Sequence, residues 1–246
     1  MSHILKTAIF AVIAVIGVIL ALLVLWVIIL MVSAVIVNPK KEYKKNSKYY
    51  RFLLYVSTWL ARIGSGSRIH VKGIECVPKT GRFLIVGNHR SKFDPIFTWY
   101  VLRKSDLAYI SKPENFKVFC FGRIIRKCLF LPINRTDPRE ALKTLIKASD
   151  LIKSDEVSVG LYPEGTRSKD LTLLPFHDGI FKVAKMAEVP VVVVTTTGTE
   201  NIKKNFPFKK TDVYYNFIET IPAEFVKENT THVISARVRK DMEQNL

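Results

Sequence analysis

A histidine and an aspartate stand five positions apart in the stretch 88-NHRSKFD-94, close after the apolar run FLIV. A carboxylate that contacts one nitrogen of an imidazole sets its tautomer and leaves the other nitrogen free to accept a proton. The spacing therefore allows Asp94 to orient His89 as a general base. Because the sequence has no serine on a nucleophile elbow, this base would act on a hydroxyl group of the substrate.

A structural interpretation of the same residues stays open. Asp94 directly precedes Pro95. An aspartate at the N-cap with a proline at the first helical position is a common helix start. The spacing alone does not separate a catalytic pair from a helix cap.

Further cations and one polar turn follow other apolar runs. Lys112 follows LAYI, Arg135 ends the stretch 130-FLPINR-135, and SVGLY leads into 163-PEGTRS-168, which contains Glu164, Gly165, Thr166 and Arg167. An arginine fork matches the oxygens of a phosphate, and threonine hydroxyl and backbone N–H groups can complete such a site. Taken alone, PEGTRS would also suit a polar surface turn with a solvated arginine.

The elements that must position these residues alternate along the chain. The predicted strands are Phe83–Val86, Leu107–Ile110, Phe130–Ile133, Val157–Leu161, Pro190–Thr196 and Val213–Phe217. The predicted helices are Pro95–Arg103, Asn115–Lys127, Arg139–Ile152, Gly179–Ala187 and one from about Ala223. This alternation predicts an α/β fold with a largely parallel sheet flanked by helices. Sites in such folds lie at the carboxyl ends of strands, so we expect the base and the three cations along one edge.

The N-terminal part of the sequence is apolar. The run from Ala8 to Val37 carries no charge. As a helix it would extend about 45 Å, against a bilayer core of about 30 Å. The apolar part of a signal peptide is shorter, at about 7–15 residues. We predict an uncleaved membrane anchor over residues 1–39, while a hairpin that breaks near Gly17 stays open.

A net charge of +17 indicates an anionic partner, and much of it follows the apolar run. The cations of this cluster are Lys40, Lys41, Lys44, Lys45, Lys48 and Arg51. Lipid headgroups explain a basic cluster beside a membrane segment better than nucleic acid does. The positive-inside rule then places the rest of the chain in the cytoplasm. Cys76, Cys120 and Cys128 lack metal spacing, in agreement with a reducing compartment.

Two further segments complete the predicted organisation. Residues 40–67 are interpreted as a basic amphipathic helix over 48–63 followed by a turn, and residues 68–246 as a catalytic domain. The helix could lie on the bilayer surface or pack on the domain.

The motifs, taken together and in order, resemble those of the glycerolipid acyltransferases, in particular the 1-acyl-sn-glycerol-3-phosphate acyltransferases. The matching stretches are NHRSKFD, LFLPINR, YPEGTRS, 174-LPFHDGIFKVA-184 and 189-VPVVVV-194. The resemblance covers about residues 68–245. It implies the fold of that family, and it implies that the last stretch, with Val193 where many relatives have a second proline, helps to shape an acyl pocket.

The resemblance also implies an activity and a role for each residue. The enzyme would transfer a fatty acyl group from acyl-CoA or acyl-carrier protein to the sn-2 hydroxyl of lysophosphatidic acid, giving phosphatidic acid for phospholipid biosynthesis. His89 would be the base and Asp94 its orienting carboxylate. The substrate phosphate would be held by Arg135, Arg167 and Lys112, and the turn that places the glycerol would be built by Glu164, Gly165 and Thr166. No metal or cofactor is implied, and the choice of donor stays open.

Other functions stay open beside this one. A related enzyme could use another lysophospholipid or glycerol 3-phosphate as acceptor. A membrane-tethered phosphohydrolase would need a metal or a covalent phosphoryl carrier that the motifs do not supply. A polybasic lipid- or nucleic-acid-binding module would explain the charge but not the motifs at the ends of the strands.

Overall fold

The computed structural model describes residues 3–246. Its helices are α1 (His3–Val35), α2 (Lys48–Gly64), α3 (Phe93–Val101), α4 (Phe119–Lys127), α5 (Pro138–Lys153), α6 (Lys182–Ala187), α7 (Ile202–Asn205), α8 (Ala223–Glu228) and α9 (Thr231–Gln244). Its strands are β1 (Ser67–Lys72), β2 (Leu84–Gly87), β3 (Leu107–Ser111), β4 (Leu131–Pro132), β5 (Ser158–Leu161), β6 (Val191–Thr197) and β7 (Thr211–Ile221).

The strands within residues 3–246 form one sheet in the order β1-β7-β6-β2-β5-β3-β4. Neighbouring strands pair in parallel, except that β6 and β7 are antiparallel. The predicted α/β fold with a largely parallel sheet is therefore confirmed.

The core lies on both faces of this sheet. Successive side chains of β2 alternate between the faces, so that Ile85 belongs to one hydrophobic cluster and Leu84 and Val86 to the other. Helices α2, α3 and α4 cover the first face, and α5, α6, α8 and α9 cover the second. Coverage on both sides explains why the central strands are nearly continuous apolar runs.

Helix α1 is the predicted apolar helix, and it begins and ends a few residues before the expected Ala8–Val37. Its 33 residues extend about 50 Å, more than the thickness of a bilayer core. By length and composition it can cross a membrane, which indicates membrane association. Most of its side chains are exposed, whereas Trp26, Ile29 and Leu30 pack against the core.

The C-terminal third of α1 is attached to the body of the protein. The rings of Trp26 and Phe52 meet edge to face with centroids 6.3 Å apart. The hydroxyl groups of Ser33 and Tyr49 lie 2.7 Å apart. Along α1 the contacts run from Trp26 to Ser33, whereas their partners on α2 run back from Phe52 to Tyr49. The two helices are therefore antiparallel where they meet.

Helix α2 packs on the domain, as one of its two interpretations expected, and its placement on a bilayer surface stays a prediction. Leu53 and Leu54 are buried in the core, so one face packs on the domain, while Phe52, Trp59 and Ile63 remain exposed. The boundaries drawn at 1–39, 40–67 and 68–246 stay a prediction.

The expectation that the basic cluster faces lipid headgroups is wrong for Arg51. Its side chain is only 2% exposed and donates hydrogen bonds to the carbonyl oxygens of Leu107 and Cys128. Arg51 therefore ties α2 to the beginning of β3 and the end of α4.

Three predicted helices are interrupted. The first breaks at Val118, whose extended backbone separates a short 3₁₀ turn from α4. In the second, a 3₁₀ turn over Asp178–Phe181 precedes α6. The last divides into α8 and α9, where the Thr230 hydroxyl accepts a hydrogen bond from Val233 N and starts the new helix.

Candidate active site

The strands β2, β3, β4 and β5 are parallel and end at the same edge of the sheet. A cavity of about 1030 Å³ lies at this edge. The predicted site residues in its wall are His89, Lys112, Arg135, Gly165, Thr166 and Arg167. Asp94 and Glu164 lie behind the wall and are buried. The structure thus brings the predicted residues together, while the roles assigned to them stay predictions.

The histidine and the aspartate of NHRSKFD are in contact. Nδ1 of His89 lies 2.8 Å from Oδ2 of Asp94. An ionised carboxylate only accepts hydrogen bonds, so Nδ1 carries the proton and Nε2 is the nitrogen that can accept one. The His89 side chain is 18% exposed, whereas Asp94 is fully buried. This arrangement leaves the ring accessible from the cavity and the carboxylate shielded from water.

The Asp94 carboxylate is also held by the loop before it. Its Oδ2 accepts hydrogen bonds of 2.7 Å from the backbone N–H groups of Arg90 and Ser91. Helix α3 begins at Phe93 with Lys92 at its N-cap, so Asp94 lies inside the first turn. The helix-cap interpretation is therefore wrong, because Asp94 is not the N-cap residue. Its carboxylate contacts the preceding loop and His89.

Two residues that sequence reasoning missed complete the surroundings of the pair. The imidazole of His89 stacks on the ring of Tyr162, with centroids 4.2 Å apart and planes 15° apart. The hydroxyl group of Thr199 donates a hydrogen bond to Oδ1 of Asp94. Tyr162 directly precedes PEGTRS and Thr199 follows β6, so their positions at the ends of strands were a usable signal. Burial raises the pKa of Tyr162 well above its ordinary value, which keeps this phenol neutral beside the base.

The PEGTRS turn is joined to the histidine loop by Glu164. Its two carboxylate oxygens accept hydrogen bonds from His89 N, at 2.6 Å, and from Leu174 N, at 3.0 Å. Burial raises the pKa of Glu164, although these two hydrogen bonds oppose the shift. Glu164 thus lies behind the cavity wall and fixes the backbone of His89 by a hydrogen bond.

Gly165 takes a conformation that other residues rarely adopt, with φ of 67°. A Cβ atom at this position would come 3.0 Å from the imidazole of His177. His177 also lines the cavity, and its backbone N–H group donates a 2.9 Å hydrogen bond to the carbonyl oxygen of Pro163. The absence of a side chain at Gly165 leaves room for this second histidine, which sequence reasoning did not select.

The three predicted phosphate ligands differ in how they are held. The guanidinium group of Arg135 donates a hydrogen bond to the carbonyl oxygen of Gly165, which links the loop after β4 to the PEGTRS turn. Lys112 and Arg167 are exposed in the cavity wall. Cations from three separate loops therefore face one space, which suits a phosphate.

The remainder of the cavity wall is largely apolar. Contributing side chains from the helices around it are Leu54, Ala61, Ile96, Trp99, Phe121, Ala141, Leu142 and Leu145. Such a wall suits a hydrocarbon chain next to the polar end of the cavity. The valines of 189-VPVVVV-194 are not among the lining residues. Val191–Val194 belong to the buried strand β6, so the implication that this stretch shapes an acyl pocket does not extend to direct contact.

Within residues 3–246 no group of three or more His, Cys, Asp and Glu side chains is arranged to hold a metal ion. The described site contains the pair of His89 and Asp94, three cations and apolar walls.

A protein-family model described as Acyltransferase matches residues 68–197, which contain the histidine loop, the three cations and the PEGTRS turn. The chain belongs to the Acyltransferase family.

Named relatives in this acyltransferase family share part of the sequence. A chloroplastic 1-acyl-sn-glycerol-3-phosphate acyltransferase of Brassica napus is 37% identical over 133 residues, which is 54% of this chain and 38% of the relative. A 1-acyl-sn-glycerol-3-phosphate acyltransferase of Borreliella burgdorferi is 28% identical over 199 residues, which is 78% of this chain and 77% of the relative. The match thus spans less than two thirds of the plant protein but most of the bacterial one.

The fold of this chain is also found in a solved structure. The crystal structure of the 1-acyl-sn-glycerophosphate (LPA) acyltransferase PlsC from Thermotoga maritima superposes with a TM-score of 0.64 and covers 80% of each chain. The sequence identity is 21%, so this likeness concerns the fold.

Proposed function

We propose that this protein is a lysophosphatidic acid acyltransferase. It would move a fatty acyl group from an acyl thioester to the sn-2 hydroxyl of lysophosphatidic acid and so form phosphatidic acid. The observation that carries the proposal is the contact between His89 and Asp94 at the wall of a cavity that combines three cations with apolar walls. The names of the plant and bacterial relatives support the same reaction.

The proposed base is the Nε2 atom of His89. With Nδ1 held against Asp94 and the ring stacked on Tyr162, Nε2 has a defined direction. It would take the proton of the sn-2 hydroxyl as the hydroxyl oxygen attacks the thioester carbonyl carbon. Asp94 would stabilise the imidazolium that forms. General base catalysis of this kind contributes about 10²–10⁴-fold in rate.

The step then closes without a covalent acyl-enzyme. The carbon–sulfur bond breaks as the tetrahedral intermediate collapses, and the leaving thiolate takes the proton back from His89. The products are an ester and a free thiol, and the base returns to its starting state. No metal or cofactor besides the acyl donor enters this scheme. Backbone N–H groups near the site would stabilise the negative oxygen of the intermediate.

The substrate phosphate would bind to Lys112, Arg135 and Arg167, which reach the cavity from three loops. Arginine can bind a phosphate through two parallel hydrogen bonds, whereas lysine contributes a point charge. Gly165 and Thr166 also line the cavity and would place the glycerol, with Glu164 holding their turn. The phosphate would thus be bound at a set distance from the base.

The apolar walls would hold fatty acyl chains. Burial of a methylene group contributes about 0.8 kcal/mol, so a long chain leaves a membrane slowly and at a large cost in free energy. An enzyme attached to the membrane by α1 avoids that transfer. The lysines after α1 outnumber the single Lys6 near its N-terminal end, which favours a catalytic domain on the cytoplasmic face. Membrane lipids are therefore proposed partners, and nucleic acid is not.

The acceptor and the donor are the least constrained parts of the proposal. Another lysophospholipid or glycerol 3-phosphate also presents a phosphate and a hydroxyl group. The donor can be acyl-CoA or acyl-carrier protein, and both are acidic partners that suit a chain with a charge of +17.

The test is an acylation assay with the purified full-length protein in lipid nanodiscs. Lysophosphatidic acid, lysophosphatidylcholine and glycerol 3-phosphate are offered as acceptors, each with acyl-CoA and with acyl-carrier protein as donor. We expect the highest kcat/KM for lysophosphatidic acid. Preference for another acceptor would assign the related enzyme instead. Release of phosphate from phosphatidic acid with no acyl transfer would support the phosphohydrolase and contradict the proposal.

A further inference from the structure

A second feature at the same edge of the sheet is the exposed segment 203–210, which consists of the last three residues of α7 and the loop after it; its sequence is KKNFPFKK, and it is here called the aromatic–basic loop. It joins β6 to β7. Phe208 is 94% exposed and Phe206 is 55% exposed. Two large aromatic side chains presented to solvent on one loop form an apolar patch of the kind that marks a binding surface.

The charge of the loop indicates what that partner is. Lysines flank the two phenylalanines on both sides, at Lys203, Lys204, Lys209 and Lys210, and all four are exposed. No acidic residue lies between Glu200 and Asp212. Apolar side chains that insert below the headgroups, next to lysines that contact anionic lipids, are the pattern of a segment that lies in a membrane surface.

The loop is held in place and presents its aromatic residues on a hydrogen-bonded frame. Asn205 accepts a 2.8 Å hydrogen bond from Lys209 N, and its side chain donates one of 3.0 Å to the Thr211 hydroxyl. Ile202, at the beginning of α7, is 1% exposed and attaches the loop to the core. The loop therefore meets a surface without first having to fold.

The aromatic–basic loop lies at the same end of the molecule as the exposed part of α1. Strand β6 is parallel to β2, so the aromatic–basic loop emerges at the edge that carries His89. Thr211 N donates a 3.2 Å hydrogen bond to the carbonyl of Gly66, just past the end of α2. Helix α1 runs opposite to α2 from their contact at Trp26 and Phe52, so its exposed part extends toward this same end of the molecule.

From these observations we propose that the aromatic–basic loop is a membrane-binding element that inserts Phe206 and Phe208 into an anionic bilayer. With α1 it provides a second, separate contact with the membrane at the edge where the cavity lies. This inference does not depend on the reaction proposed above, because it concerns only where the loop lies.

The test measures the depth of a probe on the full-length protein in vesicles of phosphatidylglycerol and phosphatidylcholine. Phe208→Cys is labelled with an environment-sensitive fluorophore in a Cys76→Ser, Cys120→Ser background, in which the remaining cysteine, Cys128, is buried. The matched control is Ser154→Cys, exposed before β5 at the opposite edge of the sheet. Leu20→Cys on α1 provides the inserted reference.

We expect lipids with a nitroxide on the acyl chain to quench the probe at position 208 and not at 154. The quenching profile should place the probe about 5–10 Å below the headgroups. Reversal of charge by Lys209→Glu with Lys210→Glu should reduce this quenching, whereas Lys153→Glu should not. Vesicles of phosphatidylcholine alone should also give less quenching at 208.

A probe at 208 that is quenched no more than the one at 154, while the α1 reference is quenched, would overturn the proposal. A probe that stays in water beside vesicles and becomes shielded only when acyl-carrier protein is added would also overturn it, because the loop would then bind a protein.

Discussion

The hydroxyl group of Thr199 donates a hydrogen bond to Oδ1 of Asp94, while Nδ1 of His89 lies 2.8 Å from Oδ2 of the same carboxylate. Thr199 follows β6, and the histidine loop follows β2, the neighbouring strand. The carboxylate is therefore held from two sides of the sheet edge. The direction of the imidazole depends on both strands as well as on its own loop.

This contact predicts that Thr199→Val lowers kcat by about tenfold. A hydrogen bond to a charged group contributes about 1.5–3 kcal/mol, and about 1.4 kcal/mol corresponds to a factor of ten in rate. Thr199 does not line the cavity, so KM for the lysolipid should change little. Steady-state kinetics of Thr199→Val and of Thr199→Ser, which keeps the hydroxyl, check this. A valine variant with the kcat of the wild type would show that the contact does not position the base.

Arg167 is predicted to act on substrate binding. Arg167→Ala should lower kcat/KM for lysophosphatidic acid by about 10- to 100-fold, mainly through KM, because a charged hydrogen bond of about 1.5–3 kcal/mol is lost. Arg167→Lys should keep part of the affinity. Lys169→Ala is the control, since Lys169 is an exposed cation two residues away that does not line the cavity. Unchanged KM together with unchanged rate in Arg167→Ala would remove this residue from the phosphate site.

Glu164 is predicted to support both stability and catalysis. A glutamine has one carbonyl oxygen, so Glu164→Gln cannot accept hydrogen bonds from His89 N and Leu174 N together. An unpaired buried N–H costs about 1–3 kcal/mol, and the free energy of unfolding should fall by that amount. Thermal unfolding and kcat, measured side by side, check the prediction. A variant with unchanged stability and activity would mean that the turn is held by other contacts.

Much of the site could be predicted from the sequence because its residues follow apolar runs. His89, Lys112 and Arg167 each follow a strand of a parallel sheet, and parallel strands bring their carboxyl ends to one edge. The spacing of five residues allowed the contact between His89 and Asp94, although Asp94 lies in the first turn of α3. Thr199 was missed because its bond to Asp94 joins residues 105 positions apart, and a single sequence does not show which strands are neighbours.

The elements that were missed or misplaced have physical reasons as well. Strand β1 lies at the edge of the sheet and is mostly exposed, so it lacks a clear apolar pattern. The predicted helix over 115–127 is interrupted at Val118, and Gly122 then packs against the backbone of Phe116, where a Cβ would lie 2.4 Å from the carbonyl oxygen. Such close packing between neighbouring turns depends on tertiary contacts that periodicity does not record.

A pH-dependent part of the stability is predicted near the C-terminus. Burial, together with a hydrogen bond to the carboxyl group of Glu219, raises the pKa of Asp241 to about 6. In the unfolded chain an aspartate has an ordinary pKa of about 3.9. The folded state thus holds a proton that the unfolded state releases. The stabilisation is fully present below about pH 4 and is lost as the pH rises through the folded value.

Asp241→Asn replaces this protonated carboxyl group by a neutral amide. At pH 8 its unfolding midpoint should therefore exceed that of the wild type, whereas at pH 4 the two should agree closely. Thermal unfolding of both proteins across this range, followed by circular dichroism, measures the difference. Parallel pH profiles for the two proteins would contradict the raised pKa of Asp241.

His89 is proposed to remove a proton from the lipid hydroxyl group, and its contribution is measured by the acylation of lysophosphatidic acid by His89→Ala in nanodiscs. The chain offers a matched control in His70, which also lies against an aspartate, Asp212 at 2.7 Å, and stacks on a tyrosine, but on the exposed surface of β1 and β7. We predict that His89→Ala loses about 10²–10⁴-fold in kcat while it stays folded and bound to the membrane, and that His70→Ala keeps the activity of the wild type. A kcat for His89→Ala within a few-fold of the wild-type value would show that His89 is not the base.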